Sequence, residues 1–377
     1  MKIFAADETL PVESFTERIY PDGIPAFADQ SLDRLYGSLY ASLPQLQCNR
    51  PAQVHTYAAW RGDELSALLL YCEDGARIRV MNEGMHVPPE ELDRFATTLF
   101  TRHEKTSVIR LHALSVSETT LKHPSVCMAV TEDIVIDLPD TEPAYLAQLS
   151  KSRRKSLRQN LSRAQQALPG FHHVVMAGDT ISDNLVDQII SFNHARMAGK
   201  QRSSAMDTEA RAHLIDLLRT RGWVGIIRTD DRICAGTLGC RFGDDVYSLV
   251  NAHDPLYDGY GMGNLSRHLL INASIRAGAR RFHLLGGQFS TKRHALGYRQ
   301  TLCEVRLYRS RLGMLRDTFS LLRLTRDAAV YRLRTLLEEA RMQPQHGPIT
   351  RIVLHLPQAF RTIRRCLRSQ FLPAHLR

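Results

Sequence analysis

The 377-residue chain reads as an α/β protein, more closely α+β: mixed, mostly antiparallel sheets flanked by helices, in two related halves with a helical tail behind them. Three observations predict this class. Strand-length apolar runs alternate with amphipathic helical stretches along most of the sequence. A shift of 168 residues lays one half on the other. No run of about 18 apolar residues is present, so a spanning helix is not expected.

The elements follow in order. Strands are expected at VHTYAAW, ELSALLLYC and RIRVMN, then a proline-started helix at PPEELDRFATTLF, then strands at SVIRLHA and VCMAVTEDIVIDL. One long basic helix is expected from about Pro143 to Ala167, closed by Pro169 and Gly170. A strand FHHVVMA, helices near 182–198 and 207–220, and strands WVGIIRT, ICAGTLGCRF and VYSLVNA come next. A glycine-rich loop, its helix, and strands RRFHLLG and CEVRLYR complete the second half.

The shift places Gly62 and Asp63 on Asp230 and Asp231, and Leu65, Ala67, Leu70 and Cys72 on Ile233, Ala235, Leu238 and Cys240. Each half is then a three-stranded meander followed by a loop, a helix and another strand. The halves differ at one junction. After its third strand the first reads NEGMHVPPEELDRF, while the second reads NAHDPLYDGYGMGN, with Gly259, Gly261 and Gly263 together. Glycine there is either turn material or room for something to approach the main chain.

Charge is unevenly placed. Residues 309–377 hold 14 Arg, no Lys and 4 acidic residues, whereas 1–308 hold 35 basic and 35 acidic groups. The whole net charge of +10 therefore belongs to the tail, and an electrostatic partner is to be sought there. The tail has two amphipathic segments, one through Leu315, Phe319, Leu322, Val330, Leu333 and Leu337, the other through Val353, Leu356, Phe360, Ile363 and Leu367. Apolar faces beside arginine suit an anionic membrane surface, and equally suit packing on the body or a partner. Four tail aromatics form no RNA-binding pattern, so nucleic acid is not expected, tRNA excepted. Seven scattered cysteines without a CxxC pair argue for reduced thiols, with Cys234 and Cys240 on one strand face in the core, and against a zinc site. MKIFAADETLPVESF lacks the blocks of a secretory signal, so a cytoplasmic setting is expected, with the tail at the inner membrane face as an option.

A loop that feeds a helix presents unpaired N–H groups that attract anions, and missing side chains let a phosphate chain lie close. No Gly-Lys-Ser/Thr follows, so this is not a Walker loop, and the preceding meander does not suit a dinucleotide fold. Meander, glycine loop, helix and strand together resemble the GNAT acyltransferase superfamily, whose acyl-CoA pyrophosphate lies on a Q/R-x-x-G-x-G/A loop. Here Gly261 and Gly263 match, and Asp258 stands where Gln or Arg is usual. The basic helix at 145–166, NAHDPLY, and ARRFHLLGGQFSTKRHALG with Gly287 and Lys292 resemble tandem-GNAT proteins and Fem-type aminoacyltransferases. His283 and Thr291 stand where that pattern commonly has an acidic residue and Tyr.

The resemblance implies a degenerate GNAT-like domain at 1–140, a GNAT-like acyltransferase domain at 141–308, and an amphipathic tail at 309–377. It implies acetyl-CoA or another acyl-CoA as co-substrate, and a sugar or peptide amine or hydroxyl as acceptor, in bacterial cell-envelope or polysaccharide metabolism. Asn251, Gly259, Gly261, Gly263 and Asn264 would hold the cofactor. Tyr298 is the acid by position, or a Tyr packed at the sheet edge. His253 is a base, or caps the Asp254–Pro255 turn. His283 lines the acceptor cleft, or is a satisfied core histidine. Lys292, Arg154 and Arg158 bind an anionic acceptor, or belong to solvated basic surface. Two other functions stay open: an aminoacyl-tRNA-dependent Fem-type transferase, and a retired fold serving as a membrane-associated or regulatory binding module.

Overall fold

The computed structural model describes residues 14–47, 51, 53–116, 121–199, 206–230, 232–287 and 289–342. The second tail segment, through Val353 and Leu367, and Asp231 of the repeat lie outside them. Twelve strands are present among the described residues: β1 Phe15–Tyr20, β2 His55–Arg61, β3 Glu64–Asp74, β4 Arg77–Val80, β5 Val108–Leu114, β6 Ser125–Asp137, β7 His172–Ala177, β8 Trp223–Arg228, β9 Ile233–Phe242, β10 Asp245–His253, β11 Arg281–His283 and β12 Tyr298–Tyr308. The helices are α1 Ala28–Tyr36, α2 Leu43–Gln47, α3 Pro89–Arg102, α4 Glu142–Gln148, α5 Lys151–Ala167, α6 Asp183–Gly199, α7 Thr208–Arg221, α8 Met262–Arg276, α9 Phe289–Lys292, α10 Arg311–Arg316 and α11 Thr318–Met342.

All twelve strands join in one sheet, in the order β1-β2-β3-β4-β5-β12-β6-β11-β10-β9-β8-β7. The order is its own mirror once each strand is matched with the one six places later, and at its centre β12 lies beside β5 and β6 beside β11. Each half thus carries the other's last strand. β12 pairs with β5, β11 pairs with β6, and β6 and β12 lie antiparallel along the centre from Tyr298↔Val135 to Leu307↔Ser125. In each half one pair is parallel, β4 with β5 and β10 with β11. Each meander has four strands rather than three, because β1 and β7 add to its outer edge. The exchange also shares the core: β12 lends Val305 and Leu307 to the first half's cluster, and β6 lends Ile134 and Ile136 to the second's.

The second half has two helical layers. Ile189 of α6 and Leu214 and Leu218 of α7 pack under β8–β10, while Leu270 and Ile271 of α8 pack on the other face with Ile134, Ile136 and Phe282. Each such fully buried side chain contributes roughly 1.5–3 kcal/mol of transfer free energy. Cys234 and Cys240 are both fully buried but do not share a face: Cys234 meets Ala164 and Met262, and Cys240 meets Leu217. The β9 hairpin irregularity beside Ile233 turns the first of them round.

The basic helix is two helices. Thr141 Oγ1 accepts from Ala144 N to start α4, and Ser150 Oγ accepts from Arg153 N to start α5. Leu149 between them is extended, at φ −66° and ψ 148°. The first tail segment is helical and packs on the body in part. α11 rests on the body through Leu324, Ala328 and Tyr331, so Leu315, Phe319, Leu322 and Leu333 face outward.

Candidate functional site

β11 pairs with β10 over only three positions, Asp245↔Arg281 to Tyr247↔His283. From Ser248 onward β10 has a partner on one side only, β9, and an open edge on the other. That edge runs straight into the glycine loop. Asp254 Oδ1 accepts from Leu256 N to begin a 3₁₀ turn over Pro255–Tyr260, and Gly261, at φ +64°, caps α8. By helix geometry the first-turn amides of α8 point out of its start.

Side chains fit closely around this loop. Asn251 Nδ2 donates to Thr237 Oγ1 at 3.1 Å and to the Gly263 carbonyl at 3.0 Å. His253 Nε2 lies 2.8 Å from Asp258 Oδ1, and Arg163 donates to the Gly259 carbonyl at 3.0 Å. A Cβ on Gly261 would stand 2.5 Å from Asn160 Nδ2, and one on Gly263 would stand 3.2 Å from Asn251 Oδ1 and 3.3 Å from His253 Nδ1. Two of the three glycines therefore have a reason internal to the fold. Gly259 does not: nothing lies within 4 Å of its Cβ position.

An acyl-CoA pyrophosphate fits these residues in part. The start of α8, the exposed Arg163 and the bare face of Gly259 suit phosphate. The exposed Asp258, paired with His253, does not.

The catalytic candidates are divided by the sheet. Asn251 and His253 stand on the α8 face with the loop. Asp133, Val135 and Asp137 of β6 point away from the Ile134–Ile136 core beneath α8, and His283 and Tyr298 lie with them. His283 Nδ1 is 2.6 Å from Asp133 Oδ2, its Nε2 is 3.5 Å from Asp245 Oδ2, and its ring stacks on Tyr247 at 4.2 Å. It is 4% exposed, which leaves it little access to any substrate. Burial opposes its charge, but the two carboxylates outweigh it and raise the pKa. Tyr298 is exposed and donates to Asp137 at 3.2 Å, and burial followed by that carboxylate raises its pKa.

The candidates for substrate binding also divide. Lys292 Nζ donates to the carbonyls of Leu284, Leu285 and Gly286 at 2.5–2.8 Å, so its three protons close the turn after β11. Burial lowers its pKa to about 8. Arg154 donates to the carbonyls of Ala147 and Leu149 and seals the end of α4. Arg158 is exposed on α5, and Asn264 stands in the first turn of α8 beside Arg153, Arg267 and His268. Nothing in the sequence marked Asn160, Arg267 or His268, because their neighbours come from helices about a hundred residues apart.

Comparison with known proteins adds the following. Residues 151–293 match the family described as acetyltransferase (GNAT) domain. No curated protein matches the chain. Among solved structures it is similar to FemX, at 11% identity over 77% of this chain and 97% of that one, with a TM-score of 0.57. It is also similar to a conserved protein of unknown function from Bacteroides thetaiotaomicron VPI-5482, at 15% identity over 78% and 100%, with a TM-score of 0.51. Residues 151–293 thus match an acetyltransferase (GNAT) domain, and the chain around them shares its fold with FemX.

Proposed function

We propose that the protein is an acyltransferase that works at the open edge of β10, moving an acyl group from acyl-CoA to an amine or hydroxyl of a sugar or peptide. The observation that carries this is the unpaired half of β10 leading into the glycine start of α8, inside the residues that match the GNAT family. Free N–H groups on such an edge can donate to the thioester oxygen as negative charge develops there. The acceptor attacks the carbonyl carbon, the C–S bond breaks, and the acceptor's proton passes to His253, held in orientation by Asp258. That proton then returns to the thiolate, which leaves as CoA thiol. Tyr298, across the sheet, has no part in this route.

Thiol release from acyl-CoA with a panel of amines and sugars tests it. Wild type turns over, and His253→Ala is slower by about 10²-fold or more, the usual worth of a positioned base. Turnover untouched in that variant would remove His253 from the mechanism.

The basic helix α5, with Arg158 and Arg163 exposed, favours a second donor, aminoacyl-tRNA, used as in Fem-type enzymes. Such binding would weaken steeply with salt; binding indifferent to salt would exclude it.

No helix among the described residues is long and apolar enough to cross a membrane. The tail nevertheless suits a bilayer surface. Leu312, Leu315, Phe319, Leu322, Leu333 and Leu336 are 45–85% exposed on one side of α10 and α11. Arginines 311, 316 and 323 are interleaved with the first four. We place peripheral contact with anionic lipid there.

A further inference from the structure

Cys127 of β6 and Cys303 of β12 meet at the centre of the sheet, on the two strands that the halves exchange. Their register is Cys127↔Val305 and Ala129↔Cys303. Residues opposite each other in an antiparallel pair share a face, as do residues two apart on one strand. The two cysteines therefore stand diagonally on a single face. Beside them the ladder skips Val130, between Thr131↔Leu302 and Ala129↔Cys303. Such a bulge deepens the local right-handed twist, and twist shortens one diagonal of a cross-strand square. Here the shortened diagonal brings the thiols into hydrogen-bond contact, with Cys127 donating to Cys303.

This pair is also open to solvent. Cys127 is exposed and Cys303 half-buried, whereas Cys72, Cys234 and Cys240 are buried. A buried thiol behaves as a small inert hydrophobe, while an accessible one beside a group that stabilises its thiolate is reactive. The S–H of Cys127 is that group. Its hydrogen bond, against partial burial, brings the Cys303 thiol down to about 7. The same bond, then burial, pushes the Cys127 thiol up. Near neutral pH a thiolate at Cys303 thus faces a thiol at Cys127, with no other residue between them on that diagonal.

We propose that Cys127 and Cys303 are a modification site, a dithiol that a hydroperoxide oxidises to a disulfide across β6 and β12. The Cys303 sulfur attacks one peroxide oxygen and the O–O bond breaks. The other oxygen leaves with the proton given up by Cys303, which becomes a sulfenic acid. The Cys127 sulfur then displaces that hydroxyl: an S–S bond forms, the S–O bond breaks, and the hydroxyl departs as water with the proton of Cys127. Two thiols have lost two electrons, and the peroxide has gained them. The bond staples the exchanged strands, and with them the two halves. Nothing in it depends on the acyl transfer proposed above.

Treatment with hydrogen peroxide followed by peptide mass mapping tests the site on wild type, Cys127→Ser and Cys303→Ser. Wild type should lose the mass of two hydrogens, yield a linked pair of peptides holding Cys127 and Cys303, and regain both thiols in dithiothreitol. Cys127→Ser lacks the resolving thiol and should instead hold a sulfenic acid at Cys303 that dimedone traps. Cys303→Ser should form neither product at the peroxide concentration that converts wild type. Survival of both thiols in peroxide-treated wild type, or linkage of either one to a different cysteine, would overturn the proposal.

Discussion

Asn160 of α5 closes directly on Gly261 at the start of α8, with its Nδ2 only 2.5 Å from where a Cβ would be. The contact joins the basic helix to the loop, and makes Gly261 a packing residue as well as a left-handed cap. Gly261→Ala should therefore cost about 1–3 kcal/mol in urea unfolding, from positive φ and crowding together. Gly259→Ala, in open space, should stay within about 0.5 kcal/mol of wild type. Equal stability of the two variants would contradict the close fit.

His283 between two carboxylates makes stability depend on pH. Its folded pKa is raised above the ordinary 6.5, so the charged ring stabilises the fold fully below 6.5, and that contribution fades as pH rises through the folded value. Asp245, lowered by His283 and Arg281 against its own burial, acts in the other direction, losing its contribution as pH falls through its folded value. Melting temperature should decline above neutral pH in wild type and be flatter there in His283→Gln. An unchanged slope in the variant would dismiss the network as its source.

Arg299 ties α11 to the centre of the sheet. Its guanidinium meets Glu132 at 2.5 Å, Glu339 at 2.9 Å and Glu338 at 3.2 Å, with only 10% of the side chain exposed. Arg299→Ala leaves Glu132 buried beside Tyr331 without its main cation, and should cost about 3–5 kcal/mol. Protease nicking of α11 should rise with it; an intact α11 in the variant would show that the apolar contacts at Leu324 and Ala328 suffice.

The outward stripe of the tail should bind vesicles containing phosphatidylglycerol and ignore those of phosphatidylcholine alone. The double change Leu315→Glu with Phe319→Glu should abolish sedimentation with the vesicles without altering melting temperature. Retained sedimentation would transfer the interaction elsewhere, and a wild type that ignores both vesicles would remove it.

Much of this fold is written locally. ELSALLLYC and ICAGTLGCRF declare β3 and β9 by apolar content, and Pro88–Pro89 marks the start of α3. The exchange of β6 and β12 is not local: their register, from Tyr298↔Val135 to Leu307↔Ser125, joins residues far apart in sequence, and no periodicity reports that. The split of α4 from α5 was legible, since Ser150 is a good N-cap, but the run of arginines around it looked continuous. At the candidate site, the cluster of Gly259, Gly261 and Gly263 is legible from the sequence alone. Their neighbour Asn160 is visible only where α5 meets the loop and the start of α8, and His283 and Tyr298 face the other side of the sheet.

The central claim is that the loop after β10 receives an acyl donor, and the most direct measurement is calorimetric titration with acetyl-CoA and a longer acyl-CoA. Gly259→Val is the matched variant, because nothing lies within 4 Å of the Cβ position at 259. The account predicts saturable binding by wild type, weakened in Gly259→Val at unchanged melting temperature. Binding of neither acyl-CoA, or binding indifferent to Val at 259, would contradict it.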